Sequence, residues 1–273
     1  MVINFEEIDW AELWKCKNAI SESQGINNMD WDNRADDFSK QYINQDYINQ
    51  VIQKMDISSN DTVLDIGCGP GTLAIPLAKQ VKVVTAMDFS DRMLEIVSER
   101  AMKNKLNNIN IVNNNFGKLE PEKDLKQHDI IICSRSFPDQ YPKENLLLIN
   151  SFALKAVYLT IWINGADEYE YFIRKAYDEA GYNYISRPDY IYILNLLYSI
   201  GIQANVDFVE YQDILEYKNL DDLIGKLFWK FNKRDIEKKQ KLKKYLASEL
   251  NCQNDSVINL KFNCRWALIN WKV

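Results

Sequence analysis

Two carboxylates and three glycines stand at spacings that let them act together. Asp65 is followed by Gly67, Gly69 and Gly71, with Cys68 and Pro70 between them, and Asp88 lies 17 residues beyond Gly71. Glycines at alternate positions let a chain turn sharply and approach a ligand that any Cβ would hold off. A carboxylate such as Asp88 can accept from both hydroxyls of a ribose. Together they predict a nucleotide-like cofactor. Asp65 narrows its kind, because a carboxylate two residues before the first glycine repels a pyrophosphate. It suits a cofactor with an ammonium at its amino-acid end and a cationic sulfur. The dinucleotide fingerprint G-x-G-x-x-G/A also wants a small residue at its sixth position. Thr72 stands there instead, and Pro70 sits inside the turn.

The elements that must position these residues follow from the hydrophobic pattern. Thr62–Ile66 reads as a buried strand, Gly67–Gly71 as a turn, and Thr72–Lys79 as a helix whose free N–H groups and positive dipole end face the ligand. A second strand, Lys82–Met87, delivers Asp88, and Ser90 caps a helix to about Asn104. Ile109–Asn113 is a third strand. Asp129–Ser134 is a continuous apolar run, as in a central parallel strand buried on both faces. A helix over Lys143–Leu154 and a fifth strand, Ala156–Ile163, complete the series. This alternation predicts an α/β fold with an open, doubly wound sheet. Its ligand site lies beyond the carboxyl ends of the strands.

Before the sheet, Phe5–Ile20 and a helix from Asp30, its expected N-cap, to about Met55 form an N-terminal helical cap over residues 1–57. The loop Ser21–Met29 joins them, and the remaining domain spans 58–273. After it come helices over Ala166–Ala180 and Asp189–Ile200, stopped by Gly181 and Gly201. Strands are expected at Asn205–Tyr211 and Lys261–Val273. Between them, helices at Asp221–Phe231 and Arg234–Leu250 make a helical insertion over about 215–255.

Composition removes several function classes. The net charge of -6 speaks against a nucleic-acid partner, which wants a basic face. The lysine cluster Lys238–Lys244 reads as a solvated helix face above the buried stripe Ile236, Leu242, Tyr245 and Leu246. No apolar run reaches the ~20 residues of a spanning helix, so no membrane role is expected. The first seven residues carry acid where a signal peptide carries base, which predicts a cytoplasmic protein. The five cysteines are scattered without CxxC spacing, the pattern of reduced thiols, and a single histidine makes a zinc site unexpected. That histidine, His128, precedes the fourth strand at the end away from the turn and is expected to be structural.

In these motifs the chain resembles the class I S-adenosylmethionine-dependent methyltransferases. Val63–Thr72 looks like their first motif and Ala86–Leu94 like their second; Asn108–Phe116 is similar to the third region, with Asn115 where the family often has Asp. The likeness covers roughly residues 30–165. It implies a seven-stranded sheet of order 3-2-1-4-5-7-6 with strand 7 antiparallel, and S-adenosyl-L-methionine as cofactor, left as S-adenosyl-L-homocysteine. The implied cofactor contacts are Asp65, Gly67, Cys68, Gly69, Gly71, Asp88, Phe89 and Met93, then Asn115 and Phe116 beside the adenine, and Ser134 at the exit of strand 4. In that family a cap helix with an aromatic-x-x-Arg pattern closes over the methionine end, which points to Trp31, Arg34 and Phe38.

Methyl transfer from a sulfonium needs positioning more than it needs a triad, and no catalytic residue is legible. The exit of strand 4, Ser134-Arg-Ser-Phe-Pro-Asp-Gln-Tyr141, lacks the Asp/Asn-Pro-Pro-aromatic segment of nucleic-acid amine methyltransferases. Arg135 there could face substrate, the cofactor carboxylate or an acid of the cap, and Tyr141 is a further substrate or lid candidate. An aromatic-lined pocket is expected from Trp10, Trp14, Tyr169, Tyr171, Tyr177, Tyr182, Tyr184, Tyr190 and Tyr192. The expectation is a small-molecule methyl acceptor. A protein or RNA methyltransferase, a non-catalytic cofactor-binding regulator and an NAD-linked oxidoreductase stay open as alternatives. Oligomeric state is not legible.

Overall fold

The computed structural model describes residues 7–21, 28–41, 44–120, 123–138, 140–165, 168–181, 184, 186–227, 236–252 and 256–273. Phe5, most of the Ser21–Met29 loop, Tyr182 and the far end of the Asp221–Phe231 helix lie outside them.

The centre is a seven-stranded sheet, β1 (Thr62–Ile66), β2 (Val83–Asp88), β3 (Ile109–Asn113), β4 (His128–Ser134), β5 (Ala153–Trp162), β6 (Asn205–Tyr217) and β7 (Ile258–Lys272). Its order is β3-β2-β1-β4-β5-β7-β6, with β7 antiparallel to both of its neighbours. This is the order and polarity that the resemblance implied. Strands β1 and β4 are fully apolar at Leu64, Ile130, Ile131 and Ile132, because helices cover both faces and no side of these strands meets water.

Odd and even positions feed two separate cores. Ile130 and Ile132 join the face covered by α3 (Gln45–Gln53), α5 (Asp91–Lys103), α7 (Glu168–Glu179), α9 (Leu220–Leu227) and α10 (Ile236–Glu249). Ile131 and Cys133 join the face covered by α1 (Trp10–Ser21), α6 (Pro142–Phe152) and α8 (Tyr190–Ser199). A small third core joins Trp31, Ala35 and Phe38 of α2 (Asn28–Gln41) to Met93 and Ile96 of α5.

Three expectations change. The single helix predicted from Asp30 to Met55 is two, α2 and α3, and α2 begins at Asn28, so Asp30 is not its cap. Asn44 starts the second helix, accepting from the N–H groups of Asp46 and Tyr47 at 3.0 and 3.1 Å. The helix expected over Thr72–Lys79 shrinks to α4 (Ala74–Leu77), with turns on either side. Pro76 lies inside it and lacks an N–H, so no helix long enough to carry a dipole stands behind the glycines. Finally, β6 runs to Tyr217 rather than Tyr211.

That extension shapes the molecule. Trp162 at the end of β5 pairs with Trp266, and Trp266 with Val209. The eight pairs from Glu210–Arg265 to Tyr217–Ile258 lie past the end of β5, an overhang of about 25 Å at the usual rise of a strand. Tyr211, Leu215 and Tyr217 of the overhang, with Ile258, Leu260, Phe262 and Cys264, are buried in the core with α7, α9 and α10. Residues of α3 close the free edge of β6. Asn44 Nδ2 donates to the Gln212 carbonyl at 2.7 Å, and the Gln50 amide exchanges hydrogen bonds with the Glu210 backbone.

Candidate active site

The carboxyl ends of β1, β2 and β4 meet where the strand order reverses, and the glycine turn bridges them. Gly67, Gly69 and Gly71 all take positive φ, at 64°, 53° and 79°. A side chain on Gly67 would meet Ser136 Cβ at 2.5 Å, whereas among the described residues nothing lies within 4 Å of the position a Cβ on Gly69 would take. Ser136 is fixed there by its hydroxyl, which donates to the Ile66 carbonyl at 2.6 Å. Gly67 thus makes room for protein, and Gly69 leaves room for a ligand.

Asp88 organises the turn from β2. One carboxylate oxygen accepts from the Gly69 N–H at 2.9 Å and the other from the Ser90 N–H at 3.0 Å. Each oxygen keeps a further lone pair for a ribose hydroxyl. Ser90 caps α5 through the Met93 N–H at 3.2 Å, so the cap duty does not fall on Asp88.

Asp65 is buried, and among the described residues its Oδ2 has no hydrogen-bond partner. Burial, then the neighbouring Asp88 charge, pushes its carboxyl up to about 7, against a downward pull from the Ala74 N–H. Burial also raises the Asp88 carboxyl, and the Cys68 thiol is raised by burial and by both acids. A buried oxygen without a partner, beside a second acid and an open glycine, fits a cationic guest. It fits the ammonium and sulfonium of S-adenosylmethionine and would oppose a pyrophosphate.

The other expected cofactor residues distribute as follows. The Asn115 Oδ1 accepts from the Gly117 N–H at 3.2 Å and starts a 3-10 turn, Phe116–Lys118. Phe116 is buried, its ring 5.8 Å from that of Phe152. Phe89 is partly buried directly after Asp88, and Met93 packs under α2. Ser134 Oγ is 2.6 Å from the Tyr47 hydroxyl, which also meets Thr160 Oγ1 at 2.9 Å.

Among the lid candidates, Trp31 and Phe38 touch edge to face at 5.6 Å, and the Arg34 guanidinium lies 5.9 Å from the Trp31 ring. Their helix is docked beside the exit of β2. Asp32 accepts from the Ser90 hydroxyl, Arg92 pairs with Asp36 at 2.7 Å, and Arg100 spans the carbonyls of Ser39 and Pro70. Tyr141 is exposed in a left-handed conformation with Lys15 over its ring.

Arg135 also adopts positive φ, at 59°, and among the described residues it meets no acid of the cap. Its guanidinium lies 4.3 Å from the centre of the Tyr47 ring and 5.9 Å from that of Trp266. Burial opposes its charge, but Tyr47, Tyr211 and Asp213 raise its pKa on balance. The sequence reading missed Tyr47, Ser136, Tyr211, Asp213 and Trp266. One signal was available for Asp213, which is polar at an inward position in the alternating series Val209, Tyr211, Leu215, Tyr217.

The aromatic residues expected to line one pocket divide between the two faces of the sheet. Trp10 and Trp14 meet Tyr192 on one face, while Tyr169 meets Trp162 and Phe262, and Tyr177 meets Tyr184, on the other. Their packing partners come from opposite crossovers, so they cannot converge. His128 is structural, as expected. Its Nδ1 donates to the Lys126 carbonyl, Nε2 accepts from Thr85, and burial lowers its pKa. A cleft of about 310 Å³ at the opposite ends of the strands is bridged by Lys155, which pairs with Asp61 and Asp129, and holds none of these groups. Among the described residues there is no cluster able to hold a metal ion, and no helix is long and apolar enough to cross a membrane.

Comparison with known proteins bears on the domain that contains these residues. The family model described as a methyltransferase domain matches residues 63–150. An uncharacterized protein of Haemophilus influenzae is 28% identical over 270 residues, covering 98% of this chain and 97% of its own. Among solved structures, a candidate S-adenosyl-L-methionine-dependent methyltransferase from Methanococcus maripaludis is 26% identical. It covers 68% of this chain and 91% of its own, with a TM-score of 0.50. A candidate methyltransferase from Bacillus halodurans is similar in fold, with a TM-score of 0.56 at 16% identity over 82% of this chain and 97% of its own. The matched domain contains Asp65, the glycine turn and Asp88, so the likeness falls where the site does. Residues 63–150 are a methyltransferase domain set in a sheet of the class I order, and the chain is an enzyme of the S-adenosylmethionine-dependent kind, with S-adenosylmethionine as its cofactor.

Proposed function

We propose that the protein methylates a small molecule that enters between the glycine turn and the overhanging β6–β7 hairpin. When bound, S-adenosylmethionine supplies a methyl carbon already activated by its sulfonium. Asp65 would hold the cationic end, Asp88 the ribose, and Asn115 and Phe89 the adenine. What the remaining residues must do is place the acceptor in line and exclude water.

The observation that carries the small-molecule reading is the wall beside the exit of β4. Tyr47 from α3, Tyr211 from the overhang and Trp266 from β7 stand around the single guanidinium of Arg135. Aromatic walls around one polar group suit a compact, partly apolar guest. The lysine helix points the same way. Lys241 pairs with Glu237 at 2.8 Å and Lys243 with Asp221 at 2.9 Å, so acids interrupt the basic track that a phosphate backbone would need. A cytoplasmic site of action accords with five free cysteines.

The test is methyl-labelled S-adenosylmethionine with a cell extract resolved into low-mass, protein and RNA fractions. Label is expected in the low-mass fraction. Label in RNA or protein would overturn the reading in favour of those acceptors. Tight S-adenosylhomocysteine binding with no fraction labelled would favour a regulator without turnover.

A further inference from the structure

Arg135 is placed with more force than a packing residue needs. It follows β4 in a left-handed backbone conformation that a side chain disfavours. Its N–H is held there by Thr160, donating to Oγ1 at 2.9 Å, while Thr160 and Ser134 are both tied to the Tyr47 hydroxyl. The same tyrosine then offers its ring to the guanidinium at 4.3 Å, with Trp266 further off and the Tyr211 hydroxyl nearby.

The charge is nevertheless not neutralised by contact. The acid that acts on it is Asp213 of β6, felt at a distance and not as an ion pair, and the Asp213 carboxylate is engaged by Asn44 Nδ2 at 3.4 Å. Taking a guanidinium out of water is costly unless a carboxylate closes on it. Here rings and a neutral hydroxyl do most of the work, leaving N–H donors for a further acceptor. A planar fork of donors against an aromatic face is matched to a flat, bidentate anion. The next residue, Ser136, packs on Gly67, so the Arg135 backbone adjoins the glycine turn.

We propose that Arg135 is the anion-binding residue of this site, receiving a carboxylate presented beside the reacting methyl group. The carboxylate belongs either to the acceptor, which would then be a small carboxylic acid, or to the amino-acid end of the cofactor. The first source rests on the small-molecule reading above. Asp213 and Asn44 act as positioning residues that keep the fork open by holding the nearest acid away.

The test uses the full chain with benzoate and its uncharged counterpart benzamide as probes, measured by calorimetry with and without S-adenosylhomocysteine. Benzoate is expected to bind at least about tenfold tighter than benzamide, a preference lost in Arg135→Met and partly kept in Arg135→Lys. If the acceptor carries the anion, benzoate binds alongside S-adenosylhomocysteine, whose own affinity is unchanged in Arg135→Met. If the cofactor carries it, S-adenosylhomocysteine displaces benzoate. Arg135→Met then weakens S-adenosylhomocysteine by at least about tenfold while leaving 5′-methylthioadenosine, which lacks the carboxylate, unaffected. Equal binding of benzoate and benzamide, with unchanged S-adenosylhomocysteine affinity in a folded Arg135→Met, overturns the proposal. Should Arg135→Met not fold, the neutral, polar Arg135→Gln is read in its place, and a full benzoate preference in it overturns the proposal. Failure of the small-molecule reading would be distinct, since label would appear in RNA or protein while the benzoate preference persisted.

Discussion

Cofactor binding should be coupled to the protonation of Asp65. Its carboxyl titrates at about 7 in the ligand-free protein, raised by burial and by Asp88. The bound ammonium needs it ionised, so binding near neutral pH must expel a fraction of a proton. Two units below that pKa only about one protein in a hundred carries the carboxylate, and affinity for S-adenosylhomocysteine should fall about a hundredfold from its alkaline plateau. The shift from 3.8 to about 7 corresponds to about 4 kcal/mol of differential interaction. Because the folded-state pKa is raised, this favourable term is fully present below the unfolded value. It is lost as pH rises through the folded one, so the ligand-free protein should be weakest above about pH 7. The assay is calorimetry across this range in two buffers of different ionisation heat, which counts the protons released. Asp65→Asn should flatten the pH profile, weaken binding at alkaline pH and raise the melting temperature of the ligand-free protein there. Affinity independent of pH in the wild type, with no proton release, would falsify the assignment of Asp65 as partner of the cationic end.

Four other substitutions separate roles within the turn and its surroundings. Asp88→Ala removes the acceptor of the Gly69 N–H as well as the ribose partner, and should weaken S-adenosylhomocysteine by at least about tenfold by calorimetry; unchanged affinity would sink the ribose role. Gly67→Ala drives a Cβ into Ser136 and should cost more than about 1 kcal/mol in thermal unfolding. Gly69→Ala meets no neighbour and should cost only about 1 kcal/mol, while weakening the cofactor more than Gly67→Ala does; the reverse ranking would show that Gly69 does not face the ligand. Tyr47→Phe removes the hydroxyl shared by Ser134 and Thr160 and should destabilise by about 1 kcal/mol. It keeps the ring under Arg135, so benzoate preference should survive; its loss would mean that the hydroxyl rather than the ring sets the fork.

The first five strands, the glycine turn and the acids at 65 and 88 were legible in the residues because their causes are local. A buried parallel strand is mostly apolar, a left-handed turn favours glycine, and a carboxylate near a strand end keeps its place whatever surrounds it. The helix behind the turn misled for an equally local reason: Pro76 was present, and its missing N–H limits the helix to one turn. The break between α2 and α3 depended on Asn44, whose side chain serves α3 and β6 at once, and only the second contact is out of reach of a local reading.

What surrounds Arg135 was decided by tertiary structure alone. Tyr47, Arg135, Tyr211 and Trp266 come from α3, the exit of β4, β6 and β7, and no periodicity links them. Their meeting depends on the register of an antiparallel pair that carries β6 and β7 past the end of β5, and a slip of one residue would turn Tyr211 outward. The donor side of the reaction is therefore written in consecutive residues, where backbone geometry dictates sequence. The proposed acceptor side exists only once four distant segments have packed, because its chemistry is the juxtaposition and not any one of its residues.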